Sequence, residues 1–276
     1  MITDPIYLGI PIGPDRLSLK SGQLAGFHFG EKGAHTSRTI MLNELTSLMQ
    51  ASDPNATRDE YRRRIIEDNC LGKRTNATRR LTNQRLSELY ALDSRVMLFR
   101  VMRQLWADDD RGRPLLALLL ALARDPLLRF TAPTILRLRP GEELGRQPLT
   151  DALSRGTGSR FNEAVLDKVV RNAAASWTQS GHLEGRGRKI RKVINPTSAV
   201  VTFALLLGYA LGARGGILFE TLWSKVLDVG MDEMVSLAMD AKRIGYIHLR
   251  GTGGIVEISP ARILTPEERR LVDGPG

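Results

Sequence analysis

The chain has 276 residues, 42% of them apolar, so a core can form in one large domain or two small ones. A single cysteine, Cys70, excludes an internal disulfide and fits a reducing cytoplasm. The formal charge of +10 predicts attraction to polyanions, and it is silent about fold.

The N-terminus, "MITDPIYLGIPIGPDRL", has neither a basic leader nor a continuous apolar run, so it does not read as a signal peptide. Residues 1–35 are rich in Gly and Pro and are expected to form an irregular arm. A helix is expected from Thr36–Ser37, which can cap "RTIMLNELTSLMQAS". "SDPNAT" is a turn, and a helix follows over Arg58–Asn69, stopped by Gly72. The next helices are expected over Thr75–Ala91, Ser94–Trp106 and Leu115–Arg124, then from Asp125-Pro126 to about Leu138. "RPGEELGRQP" (Arg139–Pro148) is the clearest linker, and a domain boundary is expected there.

Beyond it, "LTDALSR" reads as a short helix and "GTGS" as a turn. Phe161–Gln179 is a strongly amphipathic helix, with Phe161, Val165, Leu166, Val169, Val170, Ala173 and Trp177 on one side. "GHLEGRGRKIRKVINP" reads as a strand, a basic tip and a second strand. Ala199–Ala213 is apolar but too short for a bilayer, which needs about 20 residues; a buried core helix is expected, and a membrane partner is not. Helices over Gly216–Val226 and Asp232–Ile244 follow, and then the hairpin "GYIHLRGTGGIVEIS". Twice, therefore, a helix ends at a Gly and leads into a hairpin, which is the pattern of a winged helix.

The expected fold class is mainly α with small β-hairpins. An irregular arm (1–35) precedes a helical domain with a helix-turn-helix (36–138). A winged-helix-like domain (149–260) and a tail (261–276) complete the chain.

The charge is concentrated. Arg58 to Arg103 holds twelve Lys/Arg against six Asp/Glu, and Thr150 to Val200 holds nine against four. The rest of the chain has 19 basic and 20 acidic residues, so the whole excess lies in these two segments. "LGKRTNATRRLTNQRL" (Leu71–Leu86) has five Lys/Arg and no acid. At 100° per residue, Thr82, Leu86, Leu89 and Tyr90 fall on one side. Lys73, Asn76, Arg80, Asn83 and Gln84 fall on the other, and Leu81 breaks the pattern. Arg, Asn and Gln pair with guanine and adenine edges, and Lys and Arg neutralise phosphates. With Arg58–Asn69 before it, this segment reads as a helix-turn-helix. In the second segment Arg160, Lys168 and Arg171 oppose the apolar stripe, and Arg186, Arg188, Lys189, Arg191 and Lys192 crowd the hairpin tip. Gly185 and Gly187 would let the main chain approach a ligand closely.

No catalytic constellation is visible. "LGKRT" lacks the upstream glycine of a P-loop, and "RGTGSR" and "RGTGG" lack the dinucleotide fingerprint. The four histidines have no metal-ligand spacing, and the adjacent carboxylates of "DDD" (Asp108–Asp110) point apart on a loop. No cofactor, metal or small-molecule substrate is expected.

"EDNCLGKRTNATRRLTNQRL", "ALARDPLLRF", "SGHLEGRGRKIRKVINP" and "AKRIGYIHLRG", in this order, resemble the BrxA family, small accessory proteins of BREX bacteriophage-exclusion systems. The likeness runs from about Leu19 to Ser259; family members tend to be shorter, and residues 1–18 and the segment after Pro260 depart from them. It implies a cytoplasmic, non-enzymatic protein that binds double-stranded DNA through Lys73, Arg74, Arg79, Arg80 and the Arg186–Lys192 tip. Partner proteins would be the methyltransferase and ATPase of the system. The alternatives are an RNA-binding antitermination-like factor and a protein adaptor within the defence complex.

Overall fold

A computed structural model describes residues 16–252 and 255–273. The protein is mainly helical, with two small antiparallel hairpins. Its helices begin with α1 (Arg16–Ala25), α2 (Leu42–Ala51), α3 (Arg58–Ile66), α4 (Asn76–Tyr90), α5 (Met97–Asp108), α6 (Arg113–Arg124) and α7 (Pro126–Arg137). There follow α8 (Arg146–Thr157), α9 (Glu163–Gln179), the hairpin β1 (Leu183–Glu184) and β2 (Ile190–Arg191), and α10 (Ser198–Ala210). The chain continues through α11 (Leu222–Lys225), α12 (Met231–Ile244), the hairpin β3 (His248–Thr252) and β4 (Ile255–Ser259), and α13 (Pro266–Asp273).

The two long apolar runs form the centre. Leu115 to Ala123 of α6 are all buried, and so are Ala199 to Ala210 of α10. A helix that is apolar all round has to be covered all round. Accordingly α6 packs on α4, α5 and α7, α10 packs on α5, α11 and α12, and the two pack on each other. They come from opposite sides of segment 139–148, yet the buried apolar residues make one contiguous cluster.

That segment is not a free linker. The Gly141 N–H donates to Arg191 O (2.9 Å), the Leu144 N–H to Lys189 O (2.7 Å), and the Arg191 N–H to Glu142 O (2.8 Å). β1 and β2 pair over only Leu183–Arg191 and Glu184–Ile190. An isolated two-stranded ribbon is marginal in water, and 139–148 supplies a third extended edge, with Glu143 opposite Ile190.

Several expectations need correction. The irregular arm expected over 1–35 is a helix at Arg16–Ala25, and its first fifteen residues lie outside the described ones. Gly22, which reads as a breaker, lies where a Cβ would stand 2.8 Å from Leu211 Cδ2, so its bareness lets α1 reach the end of α10. The helix expected from Thr36 starts only at Leu42. The extended chain before it gives its N–H groups to α9 instead: Ile40 N–H to Ser176 Oγ and Leu42 N–H to Gln179 Oε1, both 3.0 Å. The helix expected over Gly216–Val226 is a 3-10 turn at Gly215–Glu220 followed by α11, which Thr221 caps. The tail expected after Pro260 contains α13, packed on α1 and held by Tyr209 Oη donating to Asp273 Oδ1 (2.6 Å). Arg100 grips Glu268 of the same helix with two nitrogens, at 2.7 and 2.6 Å.

Candidate nucleic-acid interface

The first basic segment folds as two helices around a well-braced connection. Thr57 and Glu60 form a capping box at the start of α3. Thr75 caps α4 through the Thr78 N–H (3.1 Å). The connection from Glu67 to Thr75 is longer than the roughly 3–4-residue turn of a helix-turn-helix. It turns at Asn69 and Gly72, both at positive φ, and Asn69 Oδ1 accepts the Lys73 N–H at 2.8 Å. Arg79 completes the brace, donating to Lys73 O (3.1 Å) and Ile66 O (3.2 Å). It satisfies the Ile66 carbonyl that the end of α3 leaves open and one carbonyl of the connection, so Arg79 is a support of the turn and not an open contact.

As the periodicity requires, α4 buries Thr82, Leu86, Leu89 and Tyr90. Lys73 is paired with Glu44 (2.9 Å), and Gln84 donates to Glu88 (2.8 Å). Arg74, Asn76, Arg80 and Asn83 have no side-chain partner among the described residues, and the first three are exposed. Of the cations and amides of Leu71–Leu86 these remain open to a ligand, and on α3 Arg58, Arg62 and Arg63 are likewise exposed without an ion pair among the described residues.

The hairpin tip separates in the same way. Arg188 makes a forked contact with Glu143 (2.8 and 2.6 Å), a bond that holds the Glu143 carboxyl below the usual carboxylate range. Lys192 pairs with Glu184 (3.1 Å), and Lys189 Nζ donates to Gly185 O. Arg186 is exposed without a partner among the described residues. The Gly185 position has a different cause from the one expected. Its φ is +104°, and a Cβ there would lie 2.1 Å from Arg188 O, so glycine is required to close the turn itself.

Arg191 overturns its expected place on the tip surface. Its side chain is fully buried and is paired with Asp228 at 2.6 Å, and it also donates to Lys192 O. The strand register turns it inward opposite Leu183, which is also buried. Beside it His182 is buried edge-on to Trp177 and donates from Nε2 to Val226 O (2.8 Å). Burial pulls the His182 pKa down to about 4, against the pull of the Val226 bond, with the Arg191 charge adding to the drop. These two residues fasten the hairpin base to the body.

A groove of about 390 Å³ gathers what remains of the second segment. Its floor is apolar (Leu149, Val170, Ala174), and Arg146, Arg171, Arg186 and Lys189 line its rim. Asp167, the one carboxylate in that lining, is shared by Arg146 and by Arg171, the latter at 2.8 Å. Four cations on one carboxylate leave a strongly positive rim. Arg146 has no place in the sequence reading, because it sits in what looks like a linker; its position as the first residue of α8 is the missing signal. Lys168 is exposed on α9 without a partner among the described residues.

Gln84 of the first segment and Arg160 of the second line one larger cleft, of about 710 Å³. The two basic segments therefore meet across it. Arg160 precedes α9, stacks on Phe161 (5.0 Å) and is held by Glu31 (2.6 Å).

One constellation lies outside the sequence reading altogether. His35 Nδ1–H donates to Asp125 Oδ2 (2.7 Å), and His35 Nε2 lies 2.7 Å from Ser176 Oγ. The order Asp–His–Ser matches a hydrolytic triad, but all three residues are fully buried. Ser176 Oγ also donates to Asn172 O (2.9 Å) and accepts the Ile40 N–H. Burial alone would raise the Asp125 pKa; the His35 charge and the N–H groups of His35 and Leu128 outweigh it and hold the carboxyl low. The arrangement ties the 34–36 turn, the α7 N-terminus and α9 together. No sequence spacing could reveal it, since its members are 90 and 141 residues apart.

Among the described residues there is no group of three or more potential metal ligands, and no helix long and apolar enough to cross a membrane. No protein-family model matches the chain, and no curated protein matches it.

Proposed function

We propose that the protein is a non-enzymatic double-stranded DNA-binding accessory of a BREX phage-defence system. In this reading α3 and α4 act as a helix-turn-helix with an enlarged turn (Glu67–Thr75), α4 lies toward the duplex, and the β1–β2 hairpin acts as a wing. The observation that carries it is the set of unpaired cations left after every ion pair is subtracted. Arg74, Arg80, Lys168 and Arg186 are among the exposed cations without an ion pair in the described residues, and they stand beside a groove rim where Arg146 and Arg171 share one carboxylate, Asp167, and Lys189 has none. Cations without carboxylates are what phosphate neutralisation uses. Asn76 and Asn83, also open, could reach base edges. The burial of Ser176 supports a role without catalysis. The phage-defence context rests on the resemblance of the quoted segments.

The test is binding to labelled random-sequence duplex DNA, single-stranded DNA and duplex RNA over a salt series. Arg74→Glu/Arg80→Glu and Arg171→Glu/Arg186→Glu are measured alongside. Duplex DNA affinity should fall linearly in log–log, and each phosphate that a variant no longer neutralises should flatten the slope by about 0.9. No duplex binding at low salt refutes the reading. A preference for RNA would favour an antitermination-like role, and loss of a protein complex with DNA retention intact would favour an adaptor.

A further inference from the structure

The 710 Å³ cleft is of the size that holds small molecules, which occupy about 300–1,000 Å³. Its walls come from four separate parts of the chain: residues 28–36, α4, the α6–α7 junction and the turn before α9. Three carboxylates line it, and each is already engaged. Glu31 holds Arg160 (2.6 Å), Glu88 holds Arg85 (2.6 Å), and Asp125 holds His35 (2.7 Å).

Two cations of the lining are left without a carboxylate among the described residues. Lys32 is exposed, and its side chain has no partner. Arg124 is mostly buried and donates only to main-chain carbonyls: Glu88 O (3.1 Å), Ser87 O (3.4 Å) and Gly26 O. Burial lowers its pKa to about 10, so it keeps its charge at neutral pH. Arg85 shares its charge with Glu88 through one Nη, and its side chain is 21% exposed, so the rest of its guanidinium can turn to a ligand while Nε stays buried. A mostly buried guanidinium with no carboxylate and an open lysine beside it favour an anion that accepts several hydrogen bonds. Phe161, with Arg160 over its ring, gives the same cleft a flat surface.

We propose that this cleft binds a phosphate-bearing small molecule of nucleotide size. The phosphate lies among Lys32, Arg85 and Arg124, and the planar part of the ligand lies toward Phe161. This departs from the expectation of no small-molecule ligand. It does not rest on the DNA-binding reading. A duplex backbone is a rival source of phosphate, but Arg124 is set back in a concave site that a rigid duplex does not enter.

The 276-residue chain is titrated with inorganic phosphate, adenosine 5′-monophosphate and uncharged adenosine, by calorimetry and thermal shift, with chloride at matched ionic strength as control. Phosphate and the monophosphate should bind and raise the melting temperature, with the monophosphate tighter, and adenosine alone should not. Arg85→Gln should weaken the monophosphate about tenfold or more, as expected when hydrogen bonds to a charged group are removed. Lys32→Glu, at an exposed position where stability should change little, should weaken it as much. No response to either phosphate compound in the low-millimolar range overturns the proposal. So does binding that both variants leave unchanged, or a site that duplex DNA fills while the monophosphate does not. Failure of duplex binding leaves this test standing, because the small ligand is read directly.

Discussion

Arg191→Met against Arg186→Ala tests the division of the hairpin cations into structural and open ones. The Arg191 side chain is fully buried, while that of its partner Asp228 is 29% exposed. Removing one member of a buried pair costs about 3–5 kcal/mol when the other charge is stranded. Asp228 recovers part of its hydration, and His182 O keeps the Lys192 N–H at 2.9 Å. Methionine also refills most of the volume. The expected loss is therefore at the lower end, about 3 kcal/mol, read as a shift in the urea midpoint at constant slope. At temperatures where the variant is folded, its log–log salt dependence of duplex binding should equal the parent's. Arg186→Ala should do the reverse, staying within about 0.5 kcal/mol in stability while the salt slope falls by about 0.9. If Arg191→Met is as stable as the parent and binds duplex more weakly, the guanidinium reaches the ligand and the division is wrong.

Two further outcomes follow from the packing. His182 has its folded pKa depressed to about 4, below an unfolded value near 6.5, so its contribution is complete above pH 6.5 and is lost as pH falls toward 4. The parent should lose about 3 kcal/mol across that window through this residue, and urea midpoints of His182→Gln should show a flatter pH profile there. Gly156 lies inside α8, where a Cβ would stand 2.4 Å from Phe130 Cγ. Alanine normally favours a helix over glycine by about 0.5–1 kcal/mol, but the clash with a buried ring should outweigh this and leave a net loss of about 1–3 kcal/mol. A rise in stability on Gly156→Ala would mean that α7 and α8 are not in close contact.

The legible parts of the fold are the ones with local causes. α4 buried the face that its apolar spacing named, α9 buried Val169, Val170, Ala173 and Trp177 of its stripe while Phe161, Val165 and Leu166 stay half-buried, and α6 and α10 were buried on every side as their composition required. Both hairpins stand where aliphatic runs flank glycine-rich turns. The misreadings share another cause. Gly22 looks like a breaker until the end of α10 is close enough to need its bareness, and 139–148 looks like a linker until the hairpin offers it an edge.

The candidate site was less legible still. The count of cations in the two basic segments belongs to the sequence, and so does the outward face of α4. Which cations stay open does not, because each depends on a carboxylate or carbonyl brought from far along the chain. Lys73 meets Glu44 across 29 residues, Arg188 meets Glu143 across 45, and Arg160 meets Glu31 across 129. Helix periodicity acts over a few residues and can be read from order alone. Charge neutralisation acts over a few ångströms, and only the tertiary structure decides which groups come that close.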